Sequence, residues 1–281
     1  MVDRPAGVGL ERPGGVRVAL VTGAATGIGR ATAALLSSHG FHTFGTSRTP
    51  GQTSDPAVEM LPLEVGDQSL VRDCVGTVID RTGRLDVLVN NVGGGIAGSV
   101  EETSLAEAQA VFEVNLWGAV RMTQAVLPTM RAQGGGRIIV MSFAADLVGL
   151  PFRGAYCASK FALESLFEAL RFELVPTGIR VSIVKPGAVA TPAADRVPRA
   201  ATTLPAYRDA RERATRMFDG AMRNGMPPER VARTVLRAAT ARRPRARYVV
   251  GPAGRSLYAL QRIAPRPAVA AAVVHLLDRD K

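Results

Sequence analysis

Residues Val16–Ser38 read VRVALVTGAATGIGRATAALLSS, an apolar run that breaks at a glycine-rich turn and resumes as a helix-forming stretch. Val16 to Val21 has the length and β-branched content of a buried strand, and Ile28 to Ser38 repeats its apolar residues at helical spacing. Gly23, Gly27 and Gly29 stand between them. In a strand–turn–helix frame such glycines permit a tight turn, let a pyrophosphate approach the backbone and allow close packing of helix on strand. The free N–H groups of the helix then face the phosphates. The stretch predicts a dinucleotide site formed by Gly23, Thr26, Gly27, Ile28 and Gly29, and with it a doubly wound α/β fold.

Outward from this turn, apolar runs alternate with helix-length segments. Strands are expected at Val16–Val21, Phe41–Thr46, Val58–Val65, Leu85–Asn90, Arg137–Ser142, Ile179–Lys185 and Arg247–Val250. Helices are expected at Ile28–Ser38, Asp67–Arg81, Leu105–Met130, Ala155–Val175 and Pro228–Thr240. Repeated strand–helix–strand units imply right-handed crossovers and a parallel sheet covered on both faces. The near-continuous apolar runs LDVLVN and RIIVMS suit its interior. The reading is a single Rossmann-type domain with a seven-stranded sheet over residues 16–251. A flexible leader (1–15) precedes it and an amphipathic extension (252–281) follows. Residues 188–227 interrupt the pattern with Ala, Pro and Arg, as a substrate lid would.

The end of the second strand is where an acidic residue would accept hydrogen bonds from an adenosine ribose. The chain instead reads Gly45-Thr46-Ser47-Arg48. An arginine there pairs with a 2′-phosphate and does nothing comparable for NAD, so NADP (NADPH) is the expected cofactor, held in part by Ser47 and Arg48. Tyr156 and Lys160 lie four apart at the start of a helical stretch and so on one face. A phenol with a pKa near 10 is a poor acid–base group at neutral pH unless a nearby cation stabilises its phenolate, and Lys160 is placed to do that.

Composition narrows the alternatives. With 281 residues, 47% hydrophobic and 21% charged, the chain is neither a disordered polyelectrolyte nor a fibrous repeat. Two cysteines, Cys74 and Cys157, are too few for a disulfide framework, and with only three histidines no metal site is expected. The opening MVDRPAGVGLERPGG lacks the apolar core of a signal peptide, and AVAAAVVHLL (Ala268–Leu277) is too short to span a bilayer, so the expected location is cytoplasmic. The net charge is +11, and the stretch Arg196–Arg247, with 14 arginines against four acids, supplies nearly all of it. Tyr207 and Phe218 are too few aromatic residues in that stretch to make a stacking platform, so nucleic acid is not an expected partner. A solvated helix face is the plain reading, and weak contact of the C-terminal segment Ser256–Leu277 with an anionic membrane surface is a second.

Taken together, TGAATGIG, NNVG (Asn90–Gly93), Asn115, YCASK (Tyr156–Lys160) and Pro186-Gly187 followed by Thr191 resemble the short-chain dehydrogenase/reductase family over roughly residues 16 to 250. VGLPFRGAYCASKFALESLFEAL is similar to its hydroxysteroid and retinol dehydrogenase branch. The resemblance implies that Tyr156 donates the proton to a carbonyl and that Lys160 holds the nicotinamide ribose while lowering the tyrosine pKa. It implies that Asn115 kinks its helix and holds a water of the proton relay. Asn91 would sit near the adenosine ribose, Val189 and Thr191 would grip the carboxamide, and Glu64-Val65 stands where the family has Asp-Val against the adenine.

Two departures stand out. Val92 replaces an alanine in the loop Asn91-Val92-Gly93. More consequentially, the position thirteen residues before the tyrosine, where the family has the serine that polarises the substrate carbonyl, is Phe143. Ser142 is adjacent, but a one-residue shift in a strand turns a side chain to the opposite face, so Ser142 enters the catalytic set only through a local bulge. Losing one oxyanion donor costs about 2.7 to 4 kcal/mol in the barrier. The primary expectation is an NADP-dependent oxidoreductase acting on a lipophilic carbonyl or alcohol, with Phe143, Leu147, Leu150, Phe152 and Val189 as an apolar pocket wall. The alternative, raised by Phe143, is a non-catalytic NADP-binding sensor. A homodimer or homotetramer formed through the helices carrying Phe112, Leu116, Val120, Phe161 and Phe167 follows from the same resemblance.

Overall fold

A computed structural model describes residues 15–49, 55–144, 149–192 and 196–252. All seven expected strands form: β1 Arg17–Val21, β2 Phe41–Ser47, β3 Val58–Pro62, β4 Val87–Asn90, β5 Gly136–Met141, β6 Ile179–Pro186 and β7 Arg247–Val250. They make one parallel sheet in the order β3-β2-β1-β4-β5-β6-β7. The third strand ends at Pro62 and not at Val65, at a residue with no N–H to donate to a ladder.

Alternation along each strand divides the core in two. Val18 and Leu20 of β1, Ile138 and Val140 of β5, and Val181 and Ile183 of β6 face the helices α2 (Gln68–Thr82), α4 (Gly118–Ala132) and α5 (Gly154–Glu173). Ala19 and Val21, Ile139 and Met141, and Val184 face α1 (Gly27–Ser38) and α7 (Pro228–Thr240). This period of two is the reason that the central strands read as continuous apolar runs: both faces are covered. Local signals set the helix ends. Asp67 accepts from the N–H groups of Ser69 and Leu70 at the start of α2, and Gly83, at φ 67°, closes it.

The expected helix Leu105–Met130 is not continuous. It consists of α3 (Leu105–Phe112), opened by a Ser104–Glu107 capping box, then a π-turn at Glu113–Trp117 and then α4. Asn115 lies inside the π-turn. The expected interruption 188–227 also needs correction, because it contains a 16-residue helix, α6 (Arg208–Arg223). Only Ala214 of α6 is buried, so its apolar stripe was hidden among arginines. The arginine-rich region is largely the solvated face expected, with Arg208, Arg216, Arg223, Arg230, Arg233 and Arg237 exposed on α6 and α7. No described helix is long and apolar enough to cross a membrane. The proposed leader, apart from Gly15, the C-terminal extension beyond Pro252, and Leu147 lie outside the described residues.

Candidate active site

Strand order reverses between β1 and β4, and the crevice that forms there at the carboxyl ends of the strands is where open α/β sheets take ligands. Thr22, just past β1, stitches the two ends together. Its hydroxyl accepts from the N–H groups of Asn91 (2.9 Å) and Val92 (3.1 Å) and donates to the Val89 carbonyl. Asn91 Nδ2 donates to the carbonyls of Thr22 (2.9 Å) and Gly23 (3.3 Å), so its amide holds the glycine turn in shape. The sequence reading missed Thr22, whose only signal was a hydroxyl at a strand end.

The glycine turn needs its glycines. Gly23 and Gly27 have φ of 66° and 55°, and a Cβ on Gly29 would fall 2.1 Å from the Gly23 carbonyl oxygen. Thr26 precedes α1 without a side-chain cap, and Ile28 is the second residue of that helix. Thr191 approaches so closely that a Cβ on Gly27 would lie 3.1 Å from its methyl group. The segment after β6 thus crosses above the turn, anchored where the Gly187 N–H donates to Val250 and the Pro186 carbonyl accepts from Ala144. Val189 differs from expectation: its side chain is buried in the α1/α7 core and is not part of a pocket wall. Its neighbours Ala188 and Ala190 pair with the Met226 backbone, which leaves the N–H and C=O of Val189 on the opposite edge.

At the other end of the crevice, Arg48 follows β2 and its side chain is 82% exposed, with Nε 4.0 Å from a Glu64 carboxylate oxygen. Ser47 accepts from the Thr49 N–H. Val65 packs in the core against α4, so of the Glu64-Val65 pair only Glu64 presents its side chain to solvent.

The reactive centre assembles on the face of α5 that meets the loop after β4. Lys160 is almost fully buried, and its Nζ donates to the Met141 carbonyl at 2.9 Å and lies 6.0 Å from the centroid of the Tyr156 ring. Burial pushes its pKa down to about 8, against the opposing pull of the Glu164 carboxylate. Gly93 and Gly95 make the approach possible: a Cβ on Gly93 would lie 3.2 Å from Lys160 Nζ, and one on Gly95 would touch the Tyr156 ring. Val92 is accommodated, packed against the core. The Asn115 side chain is fully engaged. It accepts from the Gly94 N–H and donates to the Gly94 carbonyl and Ser159 Oγ, each at 2.8 Å, while Ser159 donates to the Tyr156 carbonyl. Asn115 therefore locks loop 93–95 to α5.

Ser142 must be corrected. Its hydroxyl donates to Glu164 at 2.5 Å, in a buried cluster completed by Lys185 at 3.0 Å from the same carboxylate. Residue 142 continues the parity of Ile138 and Val140, which face α5. Phe143 packs edge-on against the Tyr156 ring, centroids 5.8 Å apart. Of the expected pocket residues, Leu150 and Phe152 line a small recess whose other wall is α6. Phe152 holds a left-handed φ of 60° and sets its ring against Tyr207. The recess wall is fastened by Glu102, which accepts from the N–H groups of Ser99 and Leu204 and pairs with Arg211. Burial opposes its charge, but these bonds hold its pKa at about 2. Of the proposed oligomer residues, Leu116 and Phe167 are core, whereas Phe161 is exposed.

A glycine turn at the sheet's switch point and a Tyr–Lys pair beside it define a nucleotide-binding oxidoreductase. The comparisons specify which. The sequence model described as short chain dehydrogenase matches residues 17–201, and the chain belongs to that family. It is 36% identical over 245 residues, covering 86% of this chain and 91% of the relative, to a 3-ketodihydrosphingosine reductase of Bacteroides thetaiotaomicron. It is 35% identical to the 17-beta-hydroxysteroid dehydrogenase type 1 of Mus musculus, over 82% of this chain and 72% of the relative. Among solved structures, a short-chain dehydrogenase from Streptomyces avermitilis superposes with a TM-score of 0.79 at 30% identity, covering 92% of this chain and 95% of that one. A Burkholderia phymatum short-chain dehydrogenase/reductase in complex with NAD gives 0.78 at 26% identity, covering 88% and 92%.

Proposed function

We propose that this protein moves a hydride between NADP and a carbonyl or secondary alcohol of a lipophilic substrate, with Tyr156 as the acid–base group. The reading is carried by the buried Lys160 ammonium standing 6.0 Å from the Tyr156 ring, beside the loop of Gly93 and Gly95. An ammonium so placed in a water-poor site favours the phenolate, which lets a phenol exchange a proton at neutral pH.

The residues present fit the cofactor. Thr26 gives α1 no side-chain cap, so the first N–H groups of the helix remain for a pyrophosphate. Lys160 uses one N–H on Met141 and keeps two for ribose hydroxyls. Val189 and Thr191, crossing above the turn, hold the carboxamide. The exposed Arg48 takes the 2′-phosphate, which is the ground for preferring NADP to NAD. When bound, the nicotinamide supplies or accepts the hydride. Tyr156 gives the proton to the carbonyl oxygen or takes it from the alcohol, and Phe143, which has no donor to offer, contributes only apolar surface. The names of the relatives, a ketosphingosine reductase and a hydroxysteroid dehydrogenase, support a lipophilic substrate. Exposed Trp117, Phe161 and Phe172 support a homodimer or homotetramer formed through α4 and α5.

The test is a panel of lipophilic ketones with NADPH, comparing the native chain with Tyr156→Phe. Turnover that falls by about 10²- to 10⁴-fold in the variant, with NADPH affinity kept, is expected; an equal rate overturns the assignment. The contact of Phe143 with Tyr156 favours a second reading, a non-catalytic NADP sensor. Tight NADPH binding with no turnover of any ketone would select it.

A further inference from the structure

Arg153 opens α5 and its side chain is buried, with the residue only 6% exposed. The guanidinium stacks on the Phe218 ring of α6, 4.4 Å from the centroid, and its Nη1 is buried with no hydrogen-bond partner among the described residues. Asp219 and Tyr156 act on it electrostatically, but among the described residues no ion pair within 4 Å holds it. Burying a cation without a counter-charge is costly, so a guanidinium in this state is completed by an anion. Its surroundings say what kind. Among the described residues, Arg153 is the only charged one lining the recess between loop 150–153 and α6, whose other walls include Leu150, Phe152, Met217 and Phe218. The N-terminus of α5 adds its own positive field at the same place. Tyr156 is one helical turn further on, with Cβ atoms about 5–6 Å apart at that spacing.

We propose that Arg153 is a specificity-determining residue that pairs with a carboxylate. The substrate of the reaction proposed above, on which this inference rests, is then a lipophilic oxo or hydroxy acid, with its chain in the apolar recess and its reacting carbon at Tyr156.

Calorimetry on the full chain with NADP present tests this without turnover. Decanoate is expected to bind about tenfold or more tightly than methyl decanoate, the scale of one charge-assisted pair, and decylamine more weakly than either. Arg153→Gln should abolish the difference between acid and ester, and Arg153→Lys should restore part of it. Equal affinity for acid and ester in the native chain overturns the proposal, and this arm needs no variant to fold. So does Arg153→Gln weakening both alike, which is what a purely structural arginine would give. In turnover, an oxo fatty acid should show a KM about tenfold below that of its methyl ester with kcat little changed. Selective decanoate binding with no ketone reduced would sink the hydride-transfer reading and leave the anion site standing. Equal KM for oxo acid and ester would do the reverse.

Discussion

Phe143 sets the edge of its ring against Tyr156, 5.8 Å between centroids, at the sequence position where the family resemblance implies a hydrogen-bond donor. Phe143→Ser puts a hydroxyl there without disturbing the Ser142–Glu164 bond. A gain of about 10²- to 10³-fold in kcat is expected, measured by NADPH consumption with a ketone that the native chain turns over slowly. An unchanged rate would mean that the substrate oxygen does not lie beside Phe143.

Arg48 and Glu64 stand 4.0 Å apart in solvent. Replacing the arginine, Arg48→Glu, removes the proposed partner of the 2′-phosphate and puts two carboxylates in its place. The dissociation constant for NADPH should rise at least tenfold while that for NADH changes less than threefold, both read by fluorescence titration. Equal loss for both cofactors would remove Arg48 from the phosphate site.

Lys160 carries a pKa depressed from 10.5 to about 8 by burial. The unfolded chain therefore binds more protons than the native one between these values, and stability rises with pH across the interval. Below pH 8 both states are protonated and the full penalty is present; above 10.5 it is gone. Urea unfolding of the cofactor-free protein at pH 7 and pH 10 should show a gain on the order of 1–3 kcal/mol relative to the same change in Lys160→Met. No difference in slope would place the titration elsewhere.

Glu102 binds the recess wall to the body of the protein through Ser99, Leu204 and Arg211. Glu102→Ala leaves Arg211 and two backbone donors without their acceptor, a loss of about 3 kcal/mol. Faster proteolysis within residues 199–223 and a raised KM at near-constant cofactor affinity are expected. Loss of NADP binding to the same extent would show a global effect and contradict the local role. Because the folded pKa lies below 4.5, the contribution of this carboxylate is complete above that pH and fades as the pH falls toward 2.

Much of this was legible in the chain of residues alone. All seven strands, the turn at Gly23–Gly29 and the Tyr156–Lys160 pair could be read because their signals are local. Apolar runs of strand length, glycines between a strand and a helix, and a spacing of four depend on backbone geometry and not on distant neighbours. Even the change of face between Ser142 and Phe143 followed from strand periodicity.

Other features were decided by packing. α6 escaped notice because its few apolar residues stand among arginines, and it forms where Glu102 and Phe152 are there to receive its end of the chain. The amides of Asn115 and Asn91 tie loops to strand and helix ends, a structural role that their positions in the chain did not announce. Arg153 looked like any other of the many arginines. Its setting is a property of the space around it, created by residues 65 positions away on α6, and the spacing of a sequence records neither burial nor the absence of an ion pair among the described residues.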